Sequence, residues 1–217
     1  MTWGCILAVG VVLGNRTLPA EEPNAAVSVC VYNYAKVPQR FLDSAEREAS
    51  GIFTAAGIHT VWADCLAPGV GVQLVSIPPQ PARWTEPDGQ GAARGITLEL
   101  RILGPSAIRR GRFSENMVGF ATGSDLASIY YERVEELAWG VDKDETHSPL
   151  VLGDIMAHEL GHLLLGTNSH SPSGIMCANW NREFLRQALM GHQLFSPKQS
   201  AMIRAEVLRR RREAVQR

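Results

Sequence analysis

A chain of 217 residues with 45% hydrophobic and 20% charged side chains can bury the core of one ordinary domain, which excludes wholesale disorder. Its net charge of −1 argues against a dedicated nucleic-acid binder, and no apolar run reaches the roughly 18 residues that a membrane-spanning helix needs. The charge is unevenly placed: the last twenty residues hold seven Lys or Arg against two Asp or Glu, while six of the fourteen residues 132–145 are acidic. A solvated surface is the simplest reading of both stretches.

Residues 3–14 form an apolar stretch the length of a signal-peptide core, and small Ala20 stands before a candidate cleavage point. Residues 1–20 are therefore read as an export signal or an apolar N-terminal segment, although no Lys or Arg precedes the run. The expected location is secreted or periplasmic. Residues 27–37 (VSVCVYNYAKV) are apolar and β-branched and predict a buried strand. Pro38 opens a helix in which Phe41, Leu42, Ala45, Ala49, Ile52 and Phe53 recur at helical spacing, with Gly57 as the stop. Residues 58–63 (IHTVWA) predict a second strand, so that strand, helix and strand form a parallel crossover. Cys30 and Cys65 each lie in or beside one of these strands. They form a disulfide if the strands are neighbours in an oxidising compartment, and are two buried thiols otherwise. The absence of a CxxC pair argues against a cysteine zinc cluster.

Residues 70–77 predict another strand, followed by a proline-rich loop from Pro78 to Gly89. Residues 96–103 (ITLELRIL) continue the sheet, and residues 117–121 (MVGFA) and 127–131 (ASIYY) are short strands flanking a turn at Gly123. The acidic segment after Tyr131 reads as a short helix and loop. Ser148 and Pro149 mark a helix start, a hydroxyl cap followed by proline in the first turn, and that helix should run through Leu165 to Gly166. Ser196-Pro-Lys-Gln199 is a capping box that opens a final helix, whose arginines 209–212 read as a solvated basic tail. The predicted class is α+β: a twisted mixed sheet with a long central helix and a C-terminal helix. The domain should span residues 27–208, with 209–217 as the tail.

Chemistry concentrates in residues 157–176, AHELGHLLLGTNSHSPSGIM. His158 and His162 are four apart, so on a helix both imidazoles leave one face and reach a single Zn²⁺. Glu159 follows the first histidine and can act as general base toward a water at such a metal. Chance alone yields HExxH in about one chain per hundred of this composition. Here, however, the motif lies among Ile155, Met156, Leu160, Leu163, Leu164 and Leu165, where unpaired imidazoles and a carboxylate would be expensive to bury. A catalytic zinc takes three protein ligands and leaves one position open. His170 is the best third donor, since the eight residues from His162 span far more than the distance required. His147, Asp154, His192 and Glu183 remain as alternatives, with Asp154 better read as the partner that orients an imidazole.

The order HExxH, helix-ending glycine, third histidine and a methionine within SGIM resembles the metzincin zinc endopeptidases, and the wider order of strands resembles their matrix-metalloproteinase-like branch. The resemblance implies a zincin-like fold. It implies His158, His162 and His170 as zinc ligands, Glu159 as general base and acid, and Met176 as the methionine beneath the metal. It also implies that residues 117–121 are the strand along which a peptide substrate lies. This chain departs from the family spacing HExxHxxGxxH: it has HExxHxxxGxxxH, one residue longer before Gly166 and one longer before His170. Cys177, beside Met176, has no role in the resemblance and reads as a small buried residue. The expected activity is zinc-dependent peptide-bond hydrolysis on a peptide or protein substrate. The alternatives are a zinc hydrolase of non-peptide amides or esters, and a zinc-stabilised binding domain without turnover.

Overall fold

The computed structural model describes residues 25–66, 96–105, 117–143, 147–191 and 193–216. The N-terminal segment 1–20, the expected strand over 70–77 with its proline loop, and His192 lie outside these residues. In chain order the elements are β1 (Ala26–Asn33), α1 (Gln39–Ala55), β2 (His59–Asp64), β3 (Ile96–Leu103), β4 (Gly119–Thr122) and β5 (Leu126–Tyr130), then α2 (Tyr131–Asp142), α3 (Ser148–Leu165), α4 (Arg182–Leu189) and α5 (Pro197–Val215).

The strands form one mixed sheet in the order β2-β1-β3-β5-β4. β1 pairs in parallel with β2 and β3, β3 pairs in parallel with β5, and β4 runs antiparallel to β5 at the edge. Side chains alternate across a strand, and the register aligns one apolar row over the sheet. Val27 pairs with Ile96, Val29 with Leu98, and Val31 with Leu100. Leu100 in turn pairs with Ala127, and Ile102 with Ile129. All of these are buried, and each fully covered aliphatic side chain contributes about 1.5–3 kcal/mol. Ser28, Thr97, Glu99 and Arg101, at the alternate positions, belong to the opposite face. Cys30 also alternates to that face, and it is bonded to Cys65 just beyond β2. The disulfide left open by the sequence is thus present, because parallel pairing brings Cys30 opposite Ala63.

α1 buries the stripe Leu42, Ala45, Ala49, Ile52 and Phe53, a single face at helical spacing. That face meets α3, where Gly153 allows close approach: a Cβ there would lie 2.6 Å from the carbonyl oxygen of Ala45 and 2.6 Å from Cβ of Glu48. α3 is covered nearly all round, with only Leu150 and Leu165 partly exposed. A helix apolar on every side belongs at the centre of a fold, and α3 contacts α1, α2, α4, α5 and strands β3, β4 and β5.

Three expectations are corrected. The cap position of α3 is His147, already in helical conformation (φ −82°, ψ −15°), and Ser148 is a buried helical residue rather than a hydroxyl cap. α4 is a helix that the sequence reading lacked, capped by the Asn181 side chain accepting from the Phe184 N–H. The arginines of the C-terminal helix are not uniformly solvated: Arg210 donates to the carbonyls of Ser124 and Leu163, each at 2.6 Å. It ties α5 to the β4–β5 turn and to the end of α3. The capping box at the start of α5 is present as expected. No helix among the described residues is long and apolar enough to cross a membrane.

Candidate metal centre

The i,i+4 spacing on α3 places the rings of His158 and His162 with centroids 4.7 Å apart. The helix ends at Gly166, whose φ of +94° suits glycine alone among common residues, and whose N–H bonds the His162 carbonyl at 2.9 Å. The chain then turns back, with the Ser169 hydroxyl donating to the Gly166 carbonyl at 2.7 Å. This turn delivers the His170 ring to 4.7 Å from that of His162 and 5.4 Å from that of His158. The helix continues through Leu165 before ending at Gly166, and residues 167–169 carry the chain to His170.

The hydrogen bonds settle the protons on two of the rings. Nδ1 of His158 lies 2.7 Å from the Ile175 carbonyl, which can only accept, so Nδ1 is the donor. Nδ1 of His162 lies 3.0 Å from the Ser169 hydroxyl, whose own hydrogen is given to Gly166, so this Nδ1 donates as well. Both Nε2 atoms therefore carry bare lone pairs in the neutral rings, yet they face each other at 3.1 Å. His170 Nε2 lies 3.1 Å from that of His162. No hydrogen can join the first pair, and a cation between the donors relieves the repulsion. The three imidazoles offer ligand atoms within 4.8 Å of one another, and this all-nitrogen donor set is compatible with Zn²⁺. Burial pushes His158 down to about 4, aided by the charges of His162 and His170 and opposed by the Ile175 carbonyl. Burial also lowers His162. Both rings are thus neutral near pH 7, the form that ligates metal.

Met176 is fully buried. Its sulfur would lie 2.7 Å from a Cβ on Gly161, so the glycine between the two histidines makes room for it. Glu159 is 6% exposed, and burial pushes its carboxyl up to about 8. It borders β4, where a Cβ on Gly119 would come within 2.7 Å of the Glu159 Oε1. A cleft of about 360 Å³ takes in the three histidines and Glu159 and is also lined by Val118, Gly119, Phe120, Ala178 and Trp180. Trp180 stands edge-on to His158 at 5.5 Å and packs on Phe184 at 4.8 Å.

The other described donors considered from sequence, Asp154, Glu183 and His147, do not join the cluster. Asp154 is buried with Oδ2 unpartnered, and it does not orient an imidazole as expected; the Ile175 carbonyl does that. Desolvation, reinforced by Glu48, raises its carboxyl well above the usual range. Glu183 is solvent-facing on α4, bonded by Gln187 and near Arg186. His147 precedes α3 and is not part of the group. Cys177 carries a free, partly exposed thiol rather than a buried one. The Ser169 hydroxyl and the Ile175 carbonyl were not found from sequence, and neither has a local signal, since each acts through a tertiary neighbour.

The buried carboxyls predict a pH response. Glu159 is raised to about 8 by burial, and Glu46 to about 7 by burial and then by Asp43 and Asp64. Both favour folding when protonated, a contribution complete below the ordinary 4.5 and lost as pH rises through the folded values. The buried histidines act in the opposite sense, but above their unfolded pKa of about 6.5 they are neutral in both states and drop out. Chelator-treated protein should therefore melt at a lower temperature at pH 8 than at pH 6.5, and Glu159→Gln should flatten the decline. A melting temperature that rises over this range contradicts the assignment.

No family model matches this chain, and no curated protein sequence matches it. Among solved structures, it is similar to a zinc-dependent peptidase from Methanocorpusculum labreanum, with a TM-score of 0.52 at 16% identity over 81% of this chain and 99% of that one. An archaemetzincin from Methanopyrus kandleri aligns with a TM-score of 0.48 at 13% identity, over 88% of this chain and 99% of that one. The first likeness shows a shared fold.

Proposed function

We propose that the chain is a zinc-dependent endopeptidase of metzincin type that acts outside the reducing cytoplasm. The observation that carries this reading is the convergence of three imidazoles beside a buried carboxylate, on a cleft walled by the edge strand of a sheet. The peptidase named in the Methanocorpusculum labreanum structure supports it. The Cys30–Cys65 disulfide supports an oxidising compartment.

His158, His162 and His170 would hold the zinc. When bound, the metal supplies Lewis acidity toward a carbonyl oxygen and acidifies a water toward a pKa of ~7. Glu159 takes a proton from the water as its oxygen attacks the peptide carbonyl carbon. The C–N bond breaks as Glu159 returns that proton to the leaving nitrogen, giving a carboxylic acid and an amine. β4 ends the sheet among the described residues, so its outer backbone groups can pair with an extended substrate by strand addition. Trp180 and Ala178 also line the cleft and would set side-chain preference.

The test is cleavage of a fluorogenic peptide library, run beside ester and non-peptide amide substrates. Peptide cleavage should be abolished by a chelator and restored by zinc. Turnover confined to the non-peptide substrates would make the protein a different zinc hydrolase, and zinc uptake without any turnover would make it a binding domain.

A further inference from the structure

Gln199, in the first turn of α5, uses both ends of its side-chain amide. Its Oε1 accepts from the Ser196 N–H at 2.9 Å, and the Ser196 hydroxyl accepts from the Gln199 N–H at 3.3 Å, completing the capping box. A backbone N–H can only donate, so this bond fixes which end of the amide is oxygen. Nε2 then points away from the cap and donates to the Ser169 carbonyl at 3.3 Å and to the Ser171 hydroxyl at 3.2 Å. Those two residues flank His170, and the Ser169 hydroxyl also receives the Nδ1 proton of His162. The other described hydrogen bonds of Ser169 and Ser171 stay local, running to His162, Gly166, Ser173 and Met176. Gln199 is the described side chain that ties this loop to a distant element. It is 9% exposed, so water competes little for its donors.

We propose that Gln199 is a positioning residue of the metal centre. Its amide NH₂ anchors the loop that presents His170 and fixes the His162 ring, so that the donor set is assembled before a cation arrives. The proposal rests on the reading of these histidines as ligands. A purely helix-capping role for Gln199 is the competing account, and the two halves of the amide separate them. Gln199→Glu keeps an acceptor for the Ser196 N–H, and with it the capping box, while a negative charge in the first turn suits the helix dipole. It removes the NH₂ donor and sets a carboxylate against the Ser169 carbonyl. Ser196→Ala does the reverse, weakening the cap and leaving the loop anchor intact.

The measurement is zinc affinity of the full chain, stripped and titrated against a chromophoric chelator, together with the melting temperature of the metal-free protein. Gln199→Glu should weaken zinc binding by about 10-fold or more, as loss of an outer partner does elsewhere, and its buried carboxylate should also lower the melting temperature. Ser196→Ala should lower the melting temperature and leave zinc affinity within about twofold, since it touches no partner of a ligand. Wild-type affinity in Gln199→Glu overturns the proposal, as does an equal loss in Ser196→Ala. If Gln199→Glu does not fold, Ser171→Ala removes one acceptor of the amide without altering α5, and unchanged zinc affinity there overturns it. A wild-type chain that takes up no zinc overturns the ligand assignment itself, and this proposal with it.

Discussion

Glu159→Gln should bind zinc as the wild type does while losing about 10²–10⁴-fold in kcat, the usual contribution of a positioned general base. The amide matches the carboxylate in shape, so the packing against Gly119 and the helix around it are retained. It cannot accept a proton, and no other carboxylate lines the described cleft. The separation of the two effects follows from geometry: the Nε2 atoms of His158, His162 and His170, the proposed ligand atoms, converge on one another, whereas the Glu159 carboxylate borders β4. Zinc content by atomic absorption and single-turnover cleavage of a fluorogenic peptide measure the two sides. Undiminished cleavage by the variant refutes the role of Glu159.

The second large effect belongs to His170→Ala. Removing one of three donors should reduce zinc affinity by more than the about 10–100-fold that loss of an outer partner costs, and peptide cleavage should fall with it. His170 is the cleanest of the three to remove, because it is exposed and leaves no cavity. His158 and His162 are 5% and 8% exposed, so their truncation would also disturb the core. Substituting Asp154, His147 or Glu183 should leave zinc bound, since none of them joins the donor cluster. Zinc content unchanged in His170→Ala would place the third ligand elsewhere.

What was legible in the chain is what local geometry determines. His158 and His162 could be paired from spacing alone because one helical turn fixes their relation, and β3 was bounded from its alternation at Ile96 and Leu103. Pro197 and the Ser196–Gln199 box located α5 for the same reason. α4 was missed although Asn181 is a sound cap, because an eight-residue helix offers little more than one amphipathic repeat to read. The role given to Asp154 failed because α3 turns it toward the environment of Glu48 on α1, while a carbonyl seventeen residues beyond His158 reaches the imidazole. Gln199 shows the limit most clearly. Its capping function is written in four consecutive residues, but its contact with Ser169 spans thirty and depends on how α5 packs beside the end of α3. The longer spacing HExxHxxxGxxxH does not itself say where His170 falls, because its position depends on the turn at Gly166.

The account depends on a metal held by three imidazoles. Zinc K-edge X-ray absorption on the purified full chain reads that directly: one zinc per chain, with a first coordination shell of nitrogen and oxygen at about 2.0–2.1 Å and multiple scattering from three histidine rings. A chain without stoichiometric zinc, or a shell containing sulfur at about 2.3 Å, would contradict it.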